Sequence, residues 1–117
     1  VLCVVGCGGD RDAGKRPQMG AIAGRESDIA IITSDNPRSE DPAAIAASVA
    51  AGAPDKCQVI LDRREAIGEA LRLAEEGDVV IIAGKGHELG QEFADGRKVP
   101  FDDRVVAAEA LAEMGWA

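Results

Sequence analysis

The tetrad Asp35-Asn36-Pro37-Arg38 follows the apolar run Ile29–Thr33 and precedes Asp41-Pro42, a pair suited to starting a helix. Proline fixes its own φ and pushes Asn36 toward extended geometry, so the turn displays a carboxylate and a guanidinium with little conformational freedom. Such a pair suits a ligand that carries both an ammonium and a carboxylate. Asp, Asn and Pro are also ordinary turn formers. What favours a binding role is the tetrad's place at a strand end, beside two other glycine-rich, charged loops.

The first of these, Gly6–Arg16, approaches a phosphate-binding loop: Gly9, four residues, then Gly14-Lys15. It fails at the next position, where Arg16 stands instead of the hydroxyl that would ligate Mg²⁺, and Asp10 and Asp12 would place negative charge beside the phosphates. A dinucleotide fingerprint is absent too, because Arg11 occupies the place of the third glycine after Gly6 and Gly8. The loop is either a solvated strand-to-helix turn or anion-binding apparatus at a helix N-terminus. The other loop, Gly84-Lys85-Gly86-His87-Glu88, contains the only histidine. No Ser or Cys nucleophile motif accompanies it, and the spacing of Cys3 and Cys7 matches no metal motif. Glu88 is the better candidate there, as a second carboxylate able to meet an ammonium.

Composition bounds the partners. The chain has 117 residues, 46% of them apolar, which fits a single domain over residues 1–117 with a real core. Two Phe, one Trp and no Tyr leave that core to aliphatic residues and alanine. A net charge of −8 argues against nucleic acid or an anionic membrane as partner, since both require a basic surface. Three cysteines cannot all pair within one chain, Cys3 reads as a small buried thiol, and no secretory signal opens the sequence, so a reducing, cytoplasmic setting is expected. The chain opens on a strand without an initiator Met, which points to a fragment.

The elements that must position these loops follow from periodicity. Val1–Gly6, Ile29–Thr33, Cys57–Leu61 and Val79–Ala83 read as strands buried on both faces of a parallel sheet. Helices are expected over Arg16–Arg25, with Met19, Ile22 and Ala23 on one face, and over Pro42–Ala51, with Asp41 as N-cap and Ile45 and Val49 buried. A third begins after Asp62, whose spacing to Glu65 resembles a capping box, carries the stripe Ile67, Leu71 and Ala74, and stops at Gly77. The last runs from Asp102 or Asp103 to Met114, with Ala107, Ala110, Leu111 and Met114 on one side. A small hairpin, Gln91–Ala94 with Arg97–Phe101, fits around Asp95-Gly96. Strand alternating with helix predicts an α/β fold, an open, doubly wound, mostly parallel Rossmann-like sheet, with ligands bound beyond the carboxyl ends of the strands.

Taken together, Gly6–Pro17, Asp35-Asn36-Pro37-Arg38, Ala83–Glu88 and Phe101-Asp102-Asp103-Arg104 resemble the C-terminal domain of the Mur ligases, in the branch that adds meso-diaminopimelate. The motifs occur in the family's order and the likeness covers essentially the whole chain. The resemblance implies the amino-acid-binding lobe of an ATP-dependent ligase of peptidoglycan synthesis. That ligase joins diaminopimelate to UDP-MurNAc-L-Ala-D-Glu through an acyl phosphate. It further implies diaminopimelate contacts at Arg11, Asp35, Asn36, Pro37, Arg38, Gly84 and Glu88, with Asp12 and Lys15 near nucleotide phosphate once the lobes close. Arg38 suits a bidentate grip on the distal carboxylate, Asp35 or Glu88 the distal ammonium, and Arg11 the other carboxylate. ATP, Mg²⁺ and the UDP-linked dipeptide would belong to domains this chain lacks. The opening helix of the C-terminal domain would be missing as well. No catalytic residue, metal or cofactor is expected in the fragment, which by itself should be inactive. Two other readings stand beside this one: a lobe of another Mur-type or folylpolyglutamate-like amide ligase, and a stand-alone flavodoxin-like binding or receiver module.

Overall fold

Apolar runs too short for buried helices become the strands, and capped alanine-rich segments become the helices between them. The computed structural model describes residues 1–7, 13–36, 40–83, 90–92 and 98–115. In chain order these form β1 (Leu2–Cys7), α1 (Arg16–Glu26, entered through a 3-10 turn at Ala13–Lys15), β2 (Ile29–Ser34), α2 (Pro42–Ala50) and β3 (Cys57–Val59). There follow α3 (Arg63–Leu73), β4 (Val80–Ala83), β5 (Gly90–Glu92), β6 (Lys98–Pro100) and α4 (Asp103–Glu113). β1 to β4 make one parallel sheet in the order β3-β2-β1-β4, and β5 and β6 make a separate antiparallel pair. This is the expected α/β fold. The chain steps outward from β1 to β3 and then returns to the other side of β1, which puts the topological switch between β1 and β4.

Alternation along the central strands divides the core in two. Val4 and Ile31 face α3 and α4, packing with Ala66, Ile67, Ala70 and Val106. Val5 and Ile32 face α1 and α2, packing with Ala46 and Val49. The helices sit mainly over β1 and β2. The outer strands are therefore not covered on both faces as the apolar runs suggest: Val59 of β3 is 47% exposed and Ile81 of β4 also 47%.

Two helices bury their expected stripes only in part. On α1, Met19 and Ala23 pack against the core, but Ile22 is exposed while Arg16, Gly20 and Gly24 are buried. The reason is backbone proximity: a Cβ at Gly20 would fall on the Val49 carbonyl, and one at Gly52 would fall on the Pro17 carbonyl and lie 2.7 Å from Ala21 N. α1 and α2 thus meet through glycine, and a bulky side chain has no room between them. On α4 the expected stripe is borne out in part: Ala107 packs against the core and Ala110 and Leu111 are half-buried, Asp103 and Val106 are the fully buried residues beside them, and Met114 is exposed. Asp103 takes the inward place because it is held by a buried partner described below.

Local signals fare better. Asp41, Asp62 and Asp102 each cap a helix, their carboxylates accepting from Ala43 N (3.0 Å), Glu65 N (3.0 Å) and Arg104 N (2.9 Å). α3 ends at Leu73, earlier than Gly77. Gly77 instead sits in the next turn with φ +93, a conformation that favours glycine, and Asp78 closes that turn through Glu75 N (2.8 Å). The hairpin is present, with Gln91 opposite Val99, while its Asp95-Gly96 turn lies outside the described residues. Cys3, Cys7 and Cys57 are thiols and half-buried rather than enclosed. Burial pushes the Cys3 thiol pKa up, with the Ser27 hydrogen bond opposing. Among the described residues no helix is long and apolar enough to cross a membrane.

The two kinds of glycine should respond oppositely to alanine. Gly20→Ala forces α1 off α2 and should cost at least about 1–3 kcal/mol. Gly68→Ala, in α3 with nothing within 4 Å of the added methyl, should stabilise by about 0.5–1 kcal/mol through helix propensity. Urea denaturation midpoints of the two variants check both signs.

Candidate functional site

The carboxyl edge of the sheet is built from the ends of β1, β2 and β4, and polar side chains hold it together. At the end of β2 the apolar run gives way to Thr33 and Ser34, whose hydroxyls both donate to the Leu61 carbonyl at 3.2 and 2.6 Å. Ser34 N also donates to that carbonyl at 3.3 Å. The root of the tetrad is thereby tied to the segment that follows β3. Asp35 and Asn36 come next and are only 6% exposed each. They lie at the strand end where the sequence places them, enclosed rather than displayed.

A second tie fixes the far side of the tetrad. Arg16, the first residue of α1, is buried and donates from Nη1 and Nη2 to the two carboxylate oxygens of Glu40, both at 2.9 Å. Its guanidinium pKa rises further above its ordinary value, chiefly through the Glu40 hydrogen bond. Arg–carboxylate forks of this kind fix orientation as well as distance. Asp35 and Asn36 are thus buried at the strand end, and Glu40 is held at the start of the next helix. The fork also joins the first charged loop to the second.

The third tie lies underneath. Arg63 opens α3, and its side chain is fully buried. Nε and Nη2 donate to the two carboxylate oxygens of Asp103, each at 2.7 Å. Nη1 donates to the Ser34 carbonyl and Nη2 to the Ala83 carbonyl, each at 3.2 Å. Sequence reasoning passed over Arg63. It stands beside Arg64 in a charged first turn, and Arg64 is the solvated residue of the two, 57% exposed with only a long contact to Glu109. Only Asp103, within the stretch Phe101–Arg104, offered a hint. Asp102, next to it, points outward and pairs with Arg104, whose hydrogen bond holds the Asp102 carboxyl pKa below the usual range.

The family described as "Mur ligase, glutamate ligase domain" matches residues 1–86. This chain belongs to that family. A relative from Syntrophomonas wolfei, named UDP-N-acetylmuramoyl-L-alanyl-D-glutamate--2,6-diaminopimelate ligase, is 56% identical over 116 residues, covering 95% of this chain and 23% of the relative. A protein of the same name from Chromobacterium violaceum is also 56% identical, over 98% of this chain and 23% of its own length. A solved structure titled as the same ligase superposes with a TM-score of 0.89 at 44% identity, covering 99% of this chain and 24% of that one. The chain therefore spans about a quarter of the length of these relatives.

Within this Mur ligase domain the structure brings together Asp35, Asn36 and their supports. Lys15 is exposed at the head of α1. Arg11, Asp12, Pro37, Arg38, Gly84 and Glu88 lie outside the described residues. The described part does not fit a nucleotide–metal cradle: where a phosphate-binding loop needs a hydroxyl, Arg16 is folded onto Glu40. Nor could any group of three or more His, Cys, Asp or Glu among the described residues hold a metal ion. An open groove of about 620 Å³ lies elsewhere, between α3 and α4, and is lined by Arg64, Glu69, Arg72 and Glu113 among others. Its arginines are engaged nearby, Arg72 with Glu69 and Arg64 with Glu109, and no residue of the three loops lines it.

The Arg16–Glu40 fork should matter where an exposed pair does not. Glu40→Ala deprives a buried guanidinium of its carboxylate and should cost about 1–3 kcal/mol, discounted because Glu40 is one-third exposed. Glu26→Ala, which removes the exposed partner of Arg25, should leave the denaturation midpoint unchanged.

Proposed function

We propose that this chain is the amino-acid-binding lobe of an ATP-dependent ligase that joins meso-diaminopimelate to the D-glutamate γ-carboxyl of UDP-MurNAc-L-Ala-D-Glu. The observation that carries the reading is the 56% identity, over nearly the whole chain, to ligases whose names specify 2,6-diaminopimelate. The edge geometry supports it: Asp35 and Asn36 are held at the end of a central strand, next to the switch point where such sheets bind ligands.

In this reading the γ-carboxyl is first converted to an acyl phosphate. The amine of diaminopimelate attacks the acyl carbon, phosphate leaves, an amide bond forms, and the amine gives up a proton. This chain contributes the hold on the amine substrate. Arg38 grips the distal carboxylate, Asp35 or Glu88 neutralises the distal ammonium, and Arg11 holds the other carboxylate. Asn36, Pro37 and Gly84 shape the loops, Gly84 offering backbone groups. ATP, Mg²⁺ and the UDP-linked dipeptide are assigned to other parts of the ligase. Lys15, exposed in the turn that leads into α1, and Asp12 can meet nucleotide phosphate when the lobes close. Closure brings amine and acyl phosphate into reacting distance. A cytoplasmic setting fits this reading and the odd number of cysteines.

Arg38 is the decisive residue, because lysine lacks the distal carboxylate it would hold. In the full-length ligase, Arg38→Ala should lower kcat/KM for diaminopimelate by about 10- to 100-fold while leaving the poor rate with lysine unchanged. Competition assays with the two amino acids measure this. Preference for diaminopimelate that survives the substitution would remove the assignment. Ligation of a different amino acid by the wild type would point to another Mur-type or folylpolyglutamate-like ligase.

A further inference from the structure

We propose that Arg63 is a positioning residue for the amino-acid site, a rigid clamp that sets the spacing between the Asp35 loop and the Gly84 loop. This rests on the reading of the chain as an amino-acid-binding lobe and adds to it a residue that touches neither substrate nor nucleotide.

The carbonyls that Arg63 binds are what distinguish it from a buried ion pair serving stability alone. Ser34 and Ala83 are the last residues of β2 and β4, and the loops carrying the expected ligand contacts begin at the next residue in each case. These strands are not neighbours, since β1 lies between them. One guanidinium therefore spans a strand to link the two. It can do so because β1 presents Gly6 at that level: an added Cβ there would lie 3.0 Å from Arg63 Nη1 and 3.0 Å from Asp35 Cβ. The plane of the guanidinium is set in turn by both oxygens of Asp103, from the first turn of α4. The fork is planar and its donors diverge at fixed angles, so the distance between the two carbonyls follows from covalent geometry. Lysine keeps the charge but has no such fork, and cannot bridge both carbonyls while holding two carboxylate oxygens.

A site that grips both ends of one small amino acid from two loops is sensitive to their separation, and errors near 1 Å are costly. The clamp should therefore appear in the affinity for the amino acid and not in handling of the other substrates.

The test uses the full-length ligase with Arg63→Lys and, separately, the paired Arg63→Met, Asp103→Leu, which replaces a buried ion pair with apolar groups and so tends to preserve stability. Both variants should raise KM for diaminopimelate by about tenfold or more. KM for ATP and for the UDP-linked dipeptide should stay within about twofold, and the melting transition should be retained in the paired variant. An unchanged KM for diaminopimelate, or an equal loss in all three substrates, overturns the proposal. Wild-type ligation of diaminopimelate is the control for the underlying reading. If that control fails, the reading fails, and the clamp is judged by amide hydrogen exchange in Arg63→Lys without substrate. Faster exchange confined to residues 34–36 and 82–84 supports it, and no change or a uniform change refutes it.

Discussion

A guanidinium enclosed at the carboxyl edge of a parallel sheet is the constraint around which this domain is arranged. Removing such a charge from water costs several kcal/mol, and the interior repays that only when geometry is good and the remaining donors are satisfied. Arg63 meets both conditions with one carboxylate and two main-chain carbonyls that the sheet ladder leaves over at its end. The arrangement demands a glycine on the strand it crosses and an aspartate at the start of the last helix, and the chain supplies Gly6 and Asp103. It also explains why the first turn of α4 buries Asp103, a carboxylate, beside Val106 and the alanine stripe.

Around this point the fold distributes rigidity and freedom in an orderly way. Backbone-close packing at Gly20 and Gly52 holds α1 against α2, and the Arg16–Glu40 fork carries that rigidity to the far side of the tetrad. The hydroxyls of Thr33 and Ser34 anchor the near side. The charged loops thus leave from a fixed frame, as expected when specificity requires the reacting groups to be held before the substrate arrives. A net charge of −8 disfavours polyanionic partners, and among the described residues Arg16, Arg25, Arg63, Arg64, Arg72 and Arg104 each meet a carboxylate.

Membership of the Mur ligase glutamate ligase domain family gives this frame a context. The chain spans about a quarter of the length of the relatives it matches, and within it Arg16 has a structural use. At the position where a phosphate-binding loop would coordinate Mg²⁺, this chain places a cation that serves its own architecture. The near match to that motif is a matter of glycine spacing in a strand-to-helix turn, and the side chain that follows gives it a different use.

Much was determined locally and is legible in the residues alone. Strands appear where apolar runs are too short for buried helices, helices start at Asp41, Asp62 and Asp102 because a carboxylate can satisfy the first open N–H groups, and a parallel sheet follows from their alternation. The order of the motifs likewise placed Asp35 and Asn36 at a strand end. Tertiary structure decided which of two nearby residues goes inside: Arg63 rather than Arg64, Asp103 rather than Asp102, and Gly20 rather than Ile22. Local signals cannot separate such neighbours, because each pair is alike in charge or fits the same helix. Their fates depend on distant partners, the carbonyls of Ser34 and Ala83 and the backbone of Val49, which come within reach only when the sheet and its helices have packed.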